Sequence, residues 1–270
     1  NEVLACEPSI KDGSFNATTS IKGKIEFKNV TFAYPLTGDK KILDNINLVI
    51  NPGETIGILG ETGCGKTSLI NLIPRFYDVC EGSVLVDDID VREYNLKNLR
   101  ERISVALQKS EIFQSTIKEN IRWGRENAAD TDIANAASIA QAMEFISTST
   151  DGFDTLVTQQ GTSLSGGQKQ RIAISRTILK QSEIIIFDDA TSALDLKTEA
   201  NLYSMLKNAY PDTTKIIIAQ RISSVEDADK IIVMDNGEIN GIGTHEELLK
   251  NNEIYREVYN SQVKGGGDDE

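Results

Sequence analysis

Short apolar segments alternate with amphipathic ones along most of this chain. Residues 24–32 alternate polar and apolar side chains, which predicts a strand with one buried face. Residues 55–59 and 184–188 are almost wholly apolar, which predicts strands buried on both faces. Residues 130–146 carry apolar side chains at three- and four-residue spacing, which predicts one long helix. Further strands are predicted at 46–50, 82–86, 103–107, 215–219, 230–235 and 238–243, and further helices at 68–73, 96–102, 116–121 and 167–179, followed by two C-terminal helices.

Strands that alternate with helices predict an α/β domain with a parallel sheet at its core. The helix-rich segment, about 114–179, is predicted to form a second lobe inserted into this domain, which would span residues 21–262. Residues 1–20 are polar and irregular and are interpreted as a linker that arrives from another domain. Residues 263–270 combine three glycines with three acidic residues and are predicted to be a flexible acidic tail.

Bulk composition limits the possible partners. The chain has 270 residues and a formal net charge of −13, which argues against nucleic acid or anionic lipid as a partner. No apolar segment approaches the roughly 18 residues needed to cross a membrane. Three cysteines without metal-type spacing are expected to be reduced thiols. The chain starts at Asn1 rather than Met, and we expect it to be a soluble fragment of a longer protein.

A phosphate-binding loop is the strongest chemical signal. Residues 60–67 fit the pattern Gly, four residues, Gly-Lys-Ser/Thr, between a predicted buried strand and a predicted helix. Glycines let backbone N–H groups approach a triphosphate, Lys66 supplies a positive charge for the β- and γ-phosphates, and Thr67 offers a hydroxyl to Mg²⁺. The predicted binding residues of this segment are Gly60, Glu61, Thr62, Gly63, Cys64, Gly65, Lys66, Thr67 and Ser68.

Two further segments narrow the chemistry. Asp188 ends the apolar strand 184–188 and is predicted to hold Mg²⁺ beside the phosphate loop. Residues 164–168 read Leu-Ser-Gly-Gly-Gln and open a predicted helix with a hydroxyl and free N–H groups suited to an anion.

With these motifs together, the chain from about residue 24 to 262 resembles the nucleotide-binding domain of an ATP-binding-cassette (ABC) protein. The segment 164–168 matches that family's signature motif, Gln108 its Q-loop glutamine, and Asp195 lies in the segment that matches its D-loop. The resemblance implies that Tyr34 stacks on adenine and that Gln108 touches Mg²⁺ together with Thr67 and Asp188.

Two local segments, 75–78 and 116–121, resemble ABC exporters whose membrane domain is fused to the nucleotide-binding domain. The resemblance implies a head-to-tail dimer at the cytoplasmic face of a membrane. In that dimer Ser165, Gly167 and Gln168 would complete the ATP site of the second nucleotide-binding domain.

The chain departs from the family pattern at three positions. Asp189 stands where the family usually has the glutamate that polarises the attacking water, and Gln220 stands where it usually has histidine. Aspartate is shorter by about 1.5 Å, and a displacement near 1 Å can cost about a hundredfold in rate. Gln159 replaces an acidic residue thought to contact the membrane domain. With Asp195, the first two positions form the predicted catalytic set.

We therefore interpret the chain as the degenerate-site subunit of a heterodimeric exporter, whose partner carries Glu and His at the positions of Asp189 and Gln220. One alternative is a homodimer that uses Asp189 as a serviceable base. A second is an ABC clamp or regulatory module without a transport role. A third is a generic phosphate-loop kinase or GTPase, which the signature motif disfavours.

Overall fold

The computed structural model describes residues 8–18, 20–35, 40–109, 111–158 and 161–265. Residues 266–270 of the predicted tail and Gln159 lie outside the described residues. Within the predicted linker, Phe15 packs edge-on against Tyr94 with ring centroids 5.0 Å apart, and its N–H donates to the carbonyl of Glu93. In the described part of the chain no helix is both long and apolar enough to cross a bilayer.

Ten strands in the described part of the chain form two sheets. The six-stranded sheet contains β3 (Thr55–Leu59), β6 (Ile103–Leu107), β7 (Ile184–Asp188), β8 (Thr214–Ile218), β9 (Lys230–Asp235) and β10 (Glu238–Gly243) in the order β10-β9-β3-β8-β7-β6. Its strands are parallel except β10, which pairs antiparallel with β9. The four-stranded sheet is antiparallel and contains β1 (Ile25–Phe32), β2 (Leu43–Ile50), β4 (Glu81–Val86) and β5 (Ile89–Asp90) in the order β2-β1-β4-β5.

Nine helices surround these sheets in the described residues. They are α1 (Lys66–Leu72), α2 (Leu96–Glu101), α3 (Ile117–Arg122), α4 (Asp130–Ile139), α5 (Met143–Thr148), α6 (Gly166–Leu179), α7 (Leu196–Ala209), α8 (His245–Asn251) and α9 (Glu253–Gly265). Helices α3 to α6 all lie between β6 and β7 in the sequence, although those strands are neighbours in the sheet. The predicted α/β class, with an inserted helical part and an antiparallel flank, is confirmed.

The parallel sheet separates two hydrophobic cores, and β7 shows how the sequence builds both. All five of its residues are buried, as predicted for a strand covered on two faces. Ile184 and Ile186 belong to the core under the antiparallel sheet, whereas Ile185 and Phe187 belong to the core under the inserted helices. The two-residue period of the strand therefore assigns alternate side chains to opposite faces.

The predicted single helix over 130–146 is wrong, because the chain turns between α4 and α5. Gln141 adopts φ 59°, its N–H donates to the carbonyl of Ser138 over 3.0 Å, and the N–H of Ala142 donates to the carbonyl of Ala137 over 2.8 Å. These bonds form a Schellman C-cap. Glutamine instead of glycine occupies the left-handed position, so the usual sequence signal for the helix end is missing.

Candidate functional site

The phosphate loop joins the end of β3 to the start of α1. Gly60, Gly63 and Gly65 have φ of 151°, 90° and 106°, a range that side chains other than glycine rarely adopt. A Cβ on Gly60 would lie 2.3 Å from the carbonyl oxygen of Met234, whereas one on Gly63 would meet nothing within 4 Å. The Nζ of Lys66 donates to the carbonyls of Gly60 (2.6 Å) and Glu61 (2.8 Å). The loop therefore curves around the ammonium group of Lys66 and leaves open space at Gly63.

Parallel register brings the other polar residues to the same edge. Leu107 pairs with Asp188, and Asp188 pairs with Ile218, so the carboxyl ends of β6, β7 and β8 are aligned. Polar residues immediately after such strand ends form the usual ligand site of an open α/β sheet. They line a pocket of about 370 Å³ together with the loop. Its lining residues are Tyr34, Ile42, Thr62, Gly63, Gly65, Lys66, Thr67, Ser68, Gln108, Asp188, Asp189, Ile218 and Gln220.

Two of these lining residues, Ile42 and Ile218, were missed by sequence reasoning. They are apolar residues that directly precede β2 and end β8, and no motif marks them. Three predicted loop residues do not line the pocket. Gly60 and Glu61 use their carbonyls to hold Lys66, and Cys64 is buried in the core under the antiparallel sheet.

Thr67 and Asp188 form an oxygen-rich pair suited to a hard cation. The hydroxyl of Thr67 donates to Oδ1 of Asp188 over 3.1 Å. Burial raises the pKa of the Asp188 carboxyl above its usual value, the bond from Thr67 opposes that rise, and the charge of Asp189 adds to it. Hydroxyl and carboxylate oxygens are the ligands that Mg²⁺ prefers, so these residues fit a magnesium ion.

Asp189 is held by two glutamines. Gln108 and Gln220 each donate from Nε2 to Oδ2 of Asp189 over 2.8 Å. Burial raises the pKa of Asp189, and the hydrogen bond from Gln220 opposes the rise. Asp189 also adopts φ 51°, and its N–H donates to the carbonyl of Ile218. Two of the three predicted departures from the family pattern, Asp189 and Gln220, are thus in direct contact, and Gln108 contacts Asp189 through its amide nitrogen.

Tyr34 stands at the side of the loop. Its hydroxyl lies 2.9 Å from Oγ of Ser68, and its ring packs edge-on against Phe32 and Tyr77 at 4.9 and 5.0 Å. The ring is therefore fixed at the pocket wall by its own neighbours.

The signature residues are placed away from this pocket. Ser165 and Gln168 form a capping box at the start of α6, with Ser165 Oγ accepting from the Gln168 N–H (3.3 Å) and Gln168 Oε1 accepting from the Ser165 N–H (2.9 Å). Ser165, Gly167 and Gln168 are all described and none lines the pocket. Asp195 caps α7 by accepting from the N–H and hydroxyl of Thr198, and these bonds lower its pKa.

Sequence reasoning also missed α7 and the half-buried ion pair between Glu199 and Arg221 behind the pocket. Glu199 on α7 is 2 % exposed, and its Oε2 lies 2.7 Å from Nη2 of Arg221, the residue after Gln220. The guanidinium also donates to the carbonyls of Thr191 and Leu194. This ion pair connects the segment after β7 to the segment after β8, and no local sequence motif predicts it.

A model of the family described as "ABC transporter" matches residues 43–192. The chain belongs to the ABC transporter family. A generic kinase or GTPase assignment is therefore wrong, and the chain is an ABC nucleotide-binding domain.

Individual relatives agree with this family assignment. The chain is 41 % identical over 264 residues to an "ATP-dependent lipid A-core flippase" of Haemophilus influenzae, an alignment that covers 97 % of this chain and 45 % of the flippase. It is 41 % identical over 265 residues to "Multidrug resistance protein pgp-1" of Caenorhabditis elegans, which covers 97 % of this chain and 20 % of that protein. This ABC domain spans less than half the length of these curated relatives.

A solved structure shares the fold of this ABC domain. The "bacterial Atm1-family ABC exporter with ATP bound" superposes with a TM-score of 0.91 at 34 % identity, covering 97 % of this chain and 46 % of that one.

Proposed function

We propose that this domain binds Mg-ATP and powers a membrane exporter by ATP-driven association with a second nucleotide-binding domain. The observation that carries the proposal is the convergence of the phosphate loop, Thr67, Asp188 and Asp189 on one pocket of about 370 Å³. The likeness to an exporter structure with ATP bound supports it.

Each wall of the pocket has a proposed role. Lys66 turns from the carbonyls of Gly60 and Glu61 towards the β- and γ-phosphates, and the ring of Tyr34 stacks on adenine. Thr67, Asp188 and Gln108 would hold Mg²⁺, which when bound neutralises charge on the phosphate oxygens. Asp189 orients the attacking water, and Gln220 lies beside the terminal phosphate.

A head-to-tail dimer gives the signature residues a function. They lie at the start of α6, a helix of 14 residues, where Ser165 is exposed and Gly167 and Gln168 are half-buried, and they do not line the pocket of their own chain. We propose that Ser165, Gly167 and Gln168 contact ATP bound by a second domain, with Asp195 at the same interface. ATP then joins two faces, and its hydrolysis releases them.

The pocket of this chain is proposed to turn ATP over slowly. The carboxylate of Asp189 reaches about 1.5 Å less far than that of a glutamate would, and a displacement of this size lowers the rate of hydrolysis about a hundredfold. Gln220 donates hydrogen bonds but carries no charge and relays no proton. A non-identical partner with Glu and His at these positions would form the fast site, to which this chain contributes its signature residues. A membrane domain fused to this chain, at the cytoplasmic face of the membrane, completes the proposed exporter, in line with the greater length of its relatives.

A homodimeric exporter domain is the second candidate. The observation that favours it is that Asp189 lines the pocket, is oriented by two amides and has a raised pKa, as a general base requires. A clamp or regulatory role without transport has no such support, because the relatives named above are a flippase, a multidrug resistance protein and an exporter.

Turnover by this chain alone, at high concentration, separates the two candidates. We expect ATP binding with little hydrolysis, and a variant carrying Asp189→Glu and Gln220→His that hydrolyses with a rate rising faster than linearly with protein concentration. Asp212→Glu is the matched control, because Asp212 lies before the first residue of β8, at the opposite end of that strand from Gln220.

Native turnover equal to that of the double variant would overturn the slow-site proposal and support the homodimer. Binding without hydrolysis in both proteins would show that these two positions do not limit turnover in the isolated domain. Failure of both to bind ATP would overturn the proposed function itself.

A further inference from the structure

The segment that carries Gln220 into the pocket is held from behind by the C-terminal helix. Gln262, near the end of α9, donates from Nε2 to the carbonyl oxygen of Gln220 over 2.7 Å. Its Oε1 accepts from the N–H of Ile222 over 2.9 Å. One side-chain amide therefore satisfies two backbone groups that flank Arg221, in the manner of a strand pairing with the segment.

The opposite side of the same segment faces the nucleotide pocket and the half-buried ion pair between Glu199 and Arg221. The side chain of Gln220 donates to Asp189, and the guanidinium of Arg221 contacts Glu199. Gln262 thus fixes the backbone from which both side chains project. A shift of this backbone by 1 Å would move the Gln220 amide relative to the pocket by a similar distance.

Helix α9 is anchored at its start and exposed at its end. Tyr255 is 1 % exposed, and its hydroxyl lies 2.7 Å from Nδ1 of His245 on α8. Gln262, two turns further on, is exposed to solvent apart from its contacts with the segment. Because the first turn is packed in the core and the last turns are not, a partner or a change of conformation at the end of α9 acts directly on Gln262.

We propose that Gln262 is a positioning residue that couples the C-terminal helix to the contact between Gln220 and the terminal phosphate of ATP. The inference rests on the proposed function in one respect, namely that Gln220 faces this phosphate. Coupling is reciprocal, so ATP steadies the end of α9 more than ADP does, and displacement of that end weakens the preference for ATP over ADP.

The test compares Gln262→Ala, Gln262→Glu and the control Ser261→Ala in the full chain. Glutamate keeps the length and volume of glutamine but places an acceptor against the carbonyl of Gln220, so it separates the hydrogen-bond pattern from packing. Ser261 bonds only to the carbonyl of Val258 within its own helix among the bonds described. Dissociation constants for Mg-ATP and Mg-ADP are measured by titration, and hydrogen exchange reports the amide of Ile222.

We expect both Gln262 variants to lower the ratio of the ADP to the ATP dissociation constant about three- to tenfold, the scale of one or two hydrogen bonds. Affinity for ADP should stay within twofold. Exchange at Ile222 should speed up by a similar factor in Gln262→Ala, whereas Gln262→Glu keeps an oxygen that accepts from the Ile222 N–H and should leave this exchange close to native. In a Gln220→Ala background, Gln262→Ala should cause no further loss of the ratio, because both changes remove one interaction. Ser261→Ala should behave like the native chain.

Equal weakening of ATP and ADP binding would overturn the inference, because it would indicate general loosening. A native ratio of the two dissociation constants in Gln262→Glu would also overturn it. If Gln220→Ala leaves the ratio unchanged, the proposed role of Gln220 at the phosphate fails. Exchange at Ile222 then decides the inference: faster exchange in Gln262→Ala, but not in Gln262→Glu or Ser261→Ala, supports the positioning role, and unchanged exchange in Gln262→Ala removes it.

Discussion

Gln220 donates a 2.8 Å hydrogen bond from Nε2 to Oδ2 of Asp189, although 31 residues separate them in the sequence. Two of the three positions at which this chain is predicted to depart from the ABC pattern are therefore in direct contact. Residues in contact usually show interaction energies of about 0.5–3 kcal/mol, whereas distant ones add.

We expect Asp189→Glu and Gln220→His to be coupled in their effect on turnover. A longer carboxylate at position 189 changes the contact that it makes with the side chain at position 220. The effect of the double variant on kcat should therefore differ from the product of the two single effects by at least about twofold. The measurement is kcat for the native chain, both single variants and the double variant. Asp212→Glu combined with Gln220→His serves as the additive control. Multiplicative behaviour in the first set would show that the contact has no energetic consequence for catalysis.

Asp188→Asn should stabilise the nucleotide-free protein while weakening Mg-ATP binding. Asp188 is buried and its pKa is raised, so the folded protein retains a proton more readily than the unfolded chain does. Its charge therefore destabilises the fold increasingly as pH rises from 3.8 through the folded-state pKa, and this cost is fully present at neutral pH. We expect a gain of about 0.5–2 kcal/mol at pH 7. Thermal unfolding between pH 7.5 and 4.5 should show the gain shrinking as the solution becomes more acidic.

Glu54→Gln is the control for Asp188→Asn, because the pKa of Glu54 is shifted in the opposite direction and the change in stability should have the opposite sign. Burial acts to raise the pKa of Glu54, but hydrogen bonds from Lys230 and Asn51 outweigh it and the pKa lies below its usual value. Glu54→Gln should therefore lower stability at neutral pH, and the loss should fade in acid. A destabilising effect of Asp188→Asn at pH 7 would contradict our account of the buried charge.

The placement of candidate site residues was predictable where it depends on local sequence. The phosphate loop follows from its glycine spacing, and Asp188 follows from an apolar strand that ends in an acid, because parallel strands deliver their last residues to one edge. The contact between Asp189 and Gln220 could not be predicted, since it depends on the register of β7 against β8. Gln262 carries no motif, and its two bonds reach back 40 and 42 residues.

The fold was predictable to the same extent. The sequence pattern identified nine of the ten described strands and missed the two-residue β5. It also failed where the end of a helix depends on a left-handed conformation at Gln141. Helix α7 was not predicted, although Asp195 is a typical N-cap residue directly before it.

Ser165→Ala should separate stability from assembly. Loss of the cap on α6 should cost about 0.5–2 kcal/mol, while ATP affinity of the isolated chain should stay within twofold because Ser165 does not line the pocket. Thr244→Ala removes the equivalent capping box from α8 and is the matched control. In the assembled dimer, only Ser165→Ala should lower turnover. A loss of ATP affinity in the isolated Ser165→Ala chain would mean that the signature acts on its own pocket.

Glu199→Ala should be the more damaging of two glutamate truncations that each break an ion pair. Glu199 has a side chain only 3 % exposed and lies 2.7 Å from Arg221, whose side chain is 33 % exposed. Removing it leaves a partly desolvated guanidinium without its partner, which we expect to cost about 2–4 kcal/mol, below the range for a fully buried pair because water reaches Arg221. Glu101→Ala breaks the ion pair between Glu101 and Lys97, in which Oε1 and Nζ are 3.9 Å apart and the side chains are 60 % and 86 % exposed, respectively. This loss should cost less than about 0.5 kcal/mol of stability. Urea unfolding of both variants measures the difference. Equal midpoints would mean that the carbonyls of Thr191 and Leu194 suffice to hold Arg221, and that the pair behind the pocket is dispensable for the fold.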